Sequence, residues 1–325
     1  MKAVRVHEFG GAEVLQYENV PDLVAGPGQV VMKVEAIGGN PVETYIRAGM
    51  HAIRPVLPFT PGSDAAGTLL SAGEGVSDLQ PGRRVYVAGS VGENAWTGCY
   101  AEQVMRQAEH LLPLPDNISF AQGAAIGIPY GTAYRAMMQC GDVKAGETML
   151  IHGASGAVGT AALQLAKPLS LTTIGTAGSK RGLELVRQQG ADHVLDHTQS
   201  GYLDAVAELT DGKGPDVILE MLANVNLARD IDIAAPFGRI VVIGSRGAIE
   251  INPRQTMMKD LSIIGMALPN TSPDDMKAIH DALGTGLENG SLDPVIGREL
   301  PLSEAIEAHT SVLRPGAYGK IVLVP

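Results

Sequence analysis

Thr148-Met149-Leu150-Ile151-His152-Gly153-Ala154-Ser155-Gly156-Ala157-Val158-Gly159-Thr160-Ala161-Ala162-Leu163-Gln164-Leu165-Ala166 is the stretch that decides the fold. A short apolar run passes through a turn of small residues into a helix-length apolar segment. Strand, small-residue turn and helix stand in the order a dinucleotide site requires. Small residues let the backbone approach a pyrophosphate, while the unpaired N–H groups and positive end of the helix stabilise its charge. Gly156 and Gly159 fit those roles. Ala154 stands at the first glycine of G-x-G-x-x-G, although Gly153 supplies a G-x-x-G-x-x-G variant. In a chain with 40 glycines such a pattern is equally a tight βα turn, so its surroundings must decide.

Those surroundings alternate. Strands are expected at 148–151, 171–176, 193–195, 216–220, 239–243 and 262–267, and helices at 158–166, 181–189, 202–209 and 227–235, with Gly190 and Gly212 as helix stops. Six strands joined by crossovers make a doubly wound parallel sheet of the Rossmann type, hence an α/β fold. Upstream, β-prone runs such as 29–34 and 84–87 follow Pro-Gly pairs, which suggests a partly open β domain. Downstream of Pro269 come helices near 273–287 and 303–310 and a strand at 320–324, a tail free to pack back onto the first domain.

Cofactor choice is read at the end of the second strand, where an acidic residue would bond a ribose 2′-hydroxyl and repel a 2′-phosphate. The strand runs instead into Ala177-Gly178-Ser179-Lys180-Arg181, with two cations and no carboxylate. That favours NADPH over NADH. The plainer reading makes Lys180 and Arg181 a solvated first helical turn, but cations there oppose the helix dipole, which points to a local phosphate.

Composition narrows the rest. The chain of 325 residues is 45% apolar, enough for about two domains with substantial cores. Acidic residues outnumber basic ones by 35 to 24, giving a charge of −11 that disfavours broad binding to nucleic acid or anionic membranes. Cys99 and Cys140 are too few for a disulfide framework or a four-thiolate zinc site, and the eight histidines are scattered, so no metal is expected. No apolar run is long enough to span a bilayer, and a cytoplasmic protein is expected. Serines in Gly62-Ser63-Asp64 and Gly244-Ser245-Arg246 lack a nucleophile elbow and read as turn residues.

The segment from Gly146 through Gly159, Gln164 and Lys167 resembles the zinc-free quinone oxidoreductases of the medium-chain dehydrogenase/reductase superfamily. The stretches 40–47, 61–64, 123–130, 220–227 and 244–247 are similar to its zeta-crystallin branch. The resemblance covers almost the whole chain. It implies a GroES-like domain over 1–122 and 268–325, a Rossmann domain over 123–267, an NADPH site in the cleft between them, and homo-oligomers, dimeric or tetrameric, formed partly through the Rossmann sheets.

By the same resemblance, zinc-bearing relatives have a cysteine ligand where Asn40 stands and a His-Glu pair where Ser63-Asp64 stands. Tyr45 matches a tyrosine beside nicotinamide and substrate, Asn40 helps order that pocket, and Thr132 matches a hydroxyl near the nicotinamide. Ser155, Gly156, Ala157 and Val158 match the pyrophosphate loop, where Ala157 replaces a family glycine. Gly178 and Lys180 match the 2′-phosphate end, and His197 a position beside the adenosine. Asn226, the turn Ile243, Gly244, Ser245 and Arg246, and the strand end Met266, Ala267 and Leu268 match further cofactor contacts. Lys320 matches a basic residue near the cofactor. Read without the resemblance, Tyr45 is a half-buried core tyrosine, Asn40 a turn residue before Pro41, His197 a surface histidine and Lys320 a solvated lysine.

The expected activity is NADPH:quinone oxidoreduction, in which the cofactor supplies the chemistry and the protein supplies orientation. A quinone is readily reduced and needs little Lewis-acid help. The residues leave the electron count open, while the zeta-crystallin resemblance implies single-electron products. Two alternatives share the residues: an enal or enone C=C reductase, and an NADPH-binding crystallin-like or AU-rich-RNA-binding protein. The negative charge and the lack of an RNP-like aromatic pattern weigh against the last.

Overall fold

Apolar alternation cut by Gly and Pro gives the first part of the chain its strands: β1 (Lys2–Val6), β2 (Leu15–Asn19), β3 (Gln29–Gly39), β4 (Asp64–Ala72), β5 (Arg84–Val87), β6 (Gln103–Gln107) and β7 (Leu111–Pro113). Helices α1 (Pro41–Arg47), α2 (Phe120–Gly123) and α3 (Gly127–Tyr134) complete it. This computed structural model describes residues 1–88 and 98–325. They divide into two units, one of 1–129, 280–314 and 319–325, the other of 130–279 and 315–318.

The second unit is built on strands β8 (Thr148–Ile151), β9 (Thr172–Ala177), β10 (His193–Asp196), β11 (Val217–Glu220), β12 (Arg239–Val242) and β13 (Ser262–Gly265). Helices α4 (Ala157–Ala166), α5 (Lys180–Gln188), α6 (Tyr202–Leu209), α7 (Ala223–Ile233) and α8 (Pro253–Met257) lie between them. All pairings are parallel, in the order β10-β9-β8-β11-β12-β13. This is the expected doubly wound sheet, and the order reverses between β8 and β11, where such sheets bind ligands. Met149, Leu150 and Ile151 of β8 and Val217, Ile218 and Leu219 of β11 are fully buried, as central parallel strands covered on both faces must be.

Helix α7 departs from expectation: it runs Ala223–Ile233 rather than 227–235. Glu220 explains the early start, because its Oε1 accepts the N–H of Leu222 just ahead of the helix. Two asparagines on it bond neighbours: Asn224 Oδ1 accepts from Arg246 N at 2.8 Å and Asn226 Oδ1 from Arg229 Nη2 at 2.9 Å. At its other end the C-cap Ala234 is already extended, at φ −60° and ψ 144°, two residues before Pro236.

After α9 (Pro273–Glu288), the tail forms β14 (Ile296–Pro301), α10 (Ala305–Ser311) and β15 (Lys320–Val324). Strand β15 pairs antiparallel with β3 and parallel with β14, joining the seven-stranded sheet β14-β15-β3-β4-β5-β7, with β6 also on β3. The core of this unit includes Val30, Met32, Ile37, Leu69, Val85, Leu300 and Leu323.

Candidate active site

The phosphate loop sits between β8 and α4. Gly153 adopts φ +60°, a left-handed conformation natural to glycine, and its N–H donates to Thr176 Oγ1 at 3.2 Å while Ala154 N donates to Thr176 O at 2.8 Å. These bonds fix the loop to β9. Gly156 caps α4 with no side-chain acceptor, so the first helical N–H groups have no capping partner within the loop. The two glycines differ in kind. A Cβ on Gly159 would lie 2.5 Å from Ala154 Cα, so helix-to-loop packing requires that glycine. On Gly156 it would meet nothing closer than Gly153 O at 3.4 Å, so the protein has room there and the glycine leaves that space open. An uncapped helix end with open space before it fits a pyrophosphate.

The expected cofactor residues of this unit lie around the C-terminal ends of its parallel strands: Ser155, Gly156, Ala157 and Val158 beyond β8, Gly178 and Lys180 beyond β9, and His197 beyond β10. Asn226 follows β11, Ile243, Gly244, Ser245 and Arg246 follow β12, and Met266, Ala267 and Leu268 follow β13. Thr132 is buried on α3. The Ser155 hydroxyl donates to Ala317 O at 2.7 Å, which leaves backbone N–H groups as the loop's open donors. A Cβ added at Gly178 would stand 2.5 Å from His197 Nε2, so the imidazole would have to shift to admit it. Desolvation, with a smaller effect of His152, pushes the His197 imidazolium below the usual range, so its ring is neutral at pH 7.

Lys180 and Arg181 are exposed at the start of α5, and Ser179 caps that helix by accepting from Gly182 N at 3.1 Å. The Arg181 guanidinium lies 3.6 Å from the Tyr318 ring centroid. Sequence reasoning missed Ala317 and Tyr318, which return to this loop from far along the chain. No local pattern announces that contact.

In the first unit, Asn40 anchors a buried charge network. It caps α1 in a capping box with Glu43, and α1 carries Tyr45. Glu43 accepts from Asn40 N (3.0 Å), Asn40 Nδ2 (3.1 Å), Ser63 N (2.9 Å) and Tyr100 Oη (3.0 Å), which fills its acceptor sites. Burial raises the Glu43 carboxyl, with the hydrogen bonds from Asn40 and the charge of Lys320 opposing. Asp64 Oδ2 accepts from Asn40 Nδ2 at 3.0 Å and Lys320 Nζ at 2.8 Å, and its Oδ1 accepts from Ile128 N at 2.8 Å. Lys320 also donates to Asn40 Oδ1 at 2.6 Å. Lys320 is therefore a buried ion-pair member, 2% exposed, and not the solvated lysine its position suggests. Its ammonium is turned to Asn40 and Asp64. Tyr45 is half-buried, and its hydroxyl makes no hydrogen bond to another described residue.

One further cluster escaped the sequence. His152, Glu220 and Asp230, scattered in the chain, come together in the second unit with His152 Nε2 2.9 Å from Asp230 Oδ1.

Comparisons with known proteins follow this division. A family model described as an alcohol dehydrogenase GroES-like domain matches residues 26–116, and one described as a zinc-binding dehydrogenase matches residues 157–284. The quinone oxidoreductase of Homo sapiens is 46% identical, with 100% of this chain and 98% of that protein covered. The solved Escherichia coli quinone oxidoreductase complexed with NADPH superposes with a TM-score of 0.89 at 27% identity, covering 100% of both chains. An NAD-dependent alcohol dehydrogenase structure superposes at 0.92 with 29% identity, again over 100% of both.

Zinc does not fit the residues present here. Asn40 and Asp64 already face the Lys320 ammonium, a cation in the place a metal would need. Burial pushes the Cys99 thiol up to about 12, so it is no thiolate at neutral pH.

Proposed function

The chain belongs to the quinone oxidoreductases of the medium-chain dehydrogenase/reductase superfamily, and from that membership we propose that it passes electrons from NADPH to o- and p-quinones without a metal. The observation that carries the cofactor half is the uncapped start of α4 beside the space left by Gly156, with Lys180 and Arg181 where an NADH-specific site would have a carboxylate.

Bound NADPH would supply the reducing equivalents, and the side chains supply place and electrostatics. The N–H groups of Ala157 and Val158 at the start of α4 hold the pyrophosphate. Lys180 and Arg181 hold the ribose phosphate, Arg181 already oriented by its stacking on Tyr318. His197, neutral at pH 7, lies against the adenosine. Asn226 and the 243–246 turn line the same side of the sheet.

Tyr45 donates its hydroxyl to a quinone oxygen, a role for which the hydroxyl has no competing described partner. Asn40 acts one step removed: with Glu43 it fixes the first turn of α1 and so sets where Tyr45 stands. A quinone accepts electrons without Lewis-acid help, so orientation does most of the work.

Steady-state turnover with NADPH on phenanthrenequinone, a benzoquinone and a 2-alkenal tests the substrate half. The proposal expects higher kcat/KM on a quinone; higher efficiency on the alkenal would overturn it in favour of C=C reduction.

A further inference from the structure

Three ionisable side chains that the proposed chemistry does not use are buried together in the second unit. His152 opens the phosphate loop, Glu220 ends β11 and Asp230 sits on α7; they are 3%, 0% and 0% exposed. His152 Nε2 is 2.9 Å from Asp230 Oδ1 and 3.6 Å from Glu220 Oε2. Glu220 Oε1 accepts from Leu222 N and from Asn226 Nδ2 at 3.3 Å. With both carboxyls ionised, Glu220 Oε2 and Asp230 Oδ2 are left without a partner. Nor is either carboxylate ion-paired to a lysine or arginine among the described residues; Arg229 donates instead to Asn226 Oδ1 at 2.9 Å. Two adjacent buried carboxylates with only an imidazole beside them are a poor solution in a low-dielectric interior. A single proton repairs it: protonated Glu220 becomes a donor to Asp230, and both unpartnered oxygens gain a bond.

We propose that Glu220 is protonated at neutral pH and that His152, Asp230 and Glu220 form a proton-sharing triad that positions the loops holding the dinucleotide. The positional part rests on the reading that NADPH binds at those loops. Glu220 reaches them directly. Its side chain holds Leu222 and Asn226, its backbone carbonyl accepts from Ile243 N at 2.9 Å and Gly244 N at 3.2 Å, and Gly244 O in turn accepts from Ala223 N at 2.8 Å. At the other end of the triad, His152 leads into Gly153–Gly156.

Burial, chiefly, pushes the Glu220 carboxyl up to about 8, with the bond to Asp230 and its charge adding to the rise and His152 opposing it. Burial also raises Asp230 and lowers His152, which is therefore neutral and donates to Asp230. The other groups whose charge reaches the triad are Arg229 on α7, Tyr202 on α6 and His197 beyond β10. As pH rises through the Glu220 value, the Glu220–Asp230 bond becomes a repulsion. A second buried negative charge then stands beneath a loop meant for a polyanion.

The test is NADPH affinity by fluorescence titration at pH 7 and pH 9, for the wild type and for Glu220→Gln, whose amide can donate to Asp230 and accept from Asn226 but cannot ionise. The wild-type Kd should rise about fivefold or more between the two pH values, the low end of ordinary site coupling, while the ratio in Glu220→Gln stays near one. Infrared difference spectra should show a protonated-carboxyl C=O stretch in the wild type at pH 7 that fades toward pH 9 and is missing in Glu220→Gln. Should that variant not fold, Asp230→Asn serves, and should shift the band. Equal pH dependence in wild type and variant, no band at pH 7, or a stoichiometric metal in the purified protein would overturn the proposal. If NADPH fails to bind while NADH does, the cofactor reading falls, and the infrared band still decides the proton-sharing.

Discussion

Lys320 bonds Asn40 Oδ1 at 2.6 Å and Asp64 Oδ2 at 2.8 Å with almost no exposure, so its charge answers a buried carboxylate. Lys320→Met keeps the length of the side chain and removes the charge. The variant should lose about 3–5 kcal/mol of stability in urea unfolding, the usual result of leaving one partner of a buried pair alone; an unchanged midpoint would contradict the network. In sequence these residues are far apart, and nothing local says that they meet. The type of residue at 40, 63 and 64 was legible through the family resemblance, but the cation that completes the network was not. The same holds for Arg181, whose charge could be read where its support by Tyr318 could not. Nor does anything local announce that the Ser155 hydroxyl is engaged by Ala317.

Helix α4 and its loop show what can be read at the scale of an element. Its span was expected within one residue, because a continuous apolar segment after a small-residue turn has few alternatives. What the pattern does not separate is a glycine needed for packing from one that leaves room. Gly159→Ala should lower the melting temperature, because its Cβ would collide with Ala154 Cα. Gly156→Ala should leave the melting temperature nearly unchanged and weaken NADPH binding about tenfold, equivalent to ~1.4 kcal/mol, because its methyl enters the phosphate space. Thermal melts and NADPH titration of both variants check this, and equal behaviour would remove the distinction. Helix α7 was misplaced because its start carries no cap signal: the N-cap is Leu222, whose own N–H donates to the Glu220 carboxyl two residues back.

Across the whole molecule, stability should depend on pH through buried groups in both units. Burial pushes His280 down to about 4 and His309 down to about 3, the latter with Arg47 Nη1 donating to its Nδ1 at 3.0 Å. Unfolded histidines take up protons below about 6.5, so between that pH and the folded values the unfolded chain binds more protons and stability falls on acidification. The slope should approach about 1.4 kcal/mol per pH unit for each histidine. Urea midpoints at pH 7 and pH 5 for the wild type and for His309→Gln isolate it, because the buried carboxyls are common to both; an identical pH dependence in the two would contradict the neutral burial of that ring. Glu220 acts with the opposite sign, since its raised value favours the folded state at low pH and that contribution fades as pH rises toward about 8. Among the described residues no helix is long and apolar enough to cross a membrane. The doubly wound sheet was legible because its strands and helices are set by local periodicity, whereas the charge clusters of both units arise only from folding.

The central proposal is a metal-free site that takes NADPH and reduces quinones. Its most direct test is the rate of NADPH and of NADH oxidation with phenanthrenequinone, each with and without a strong chelator. Fast turnover with NADPH, unchanged by chelator and at least about tenfold more efficient in kcat/KM than with NADH, is the predicted result, corresponding to ~1.4 kcal/mol of discrimination by Lys180 and Arg181. Turnover abolished by the chelator, or equal efficiency with NADH, would contradict it.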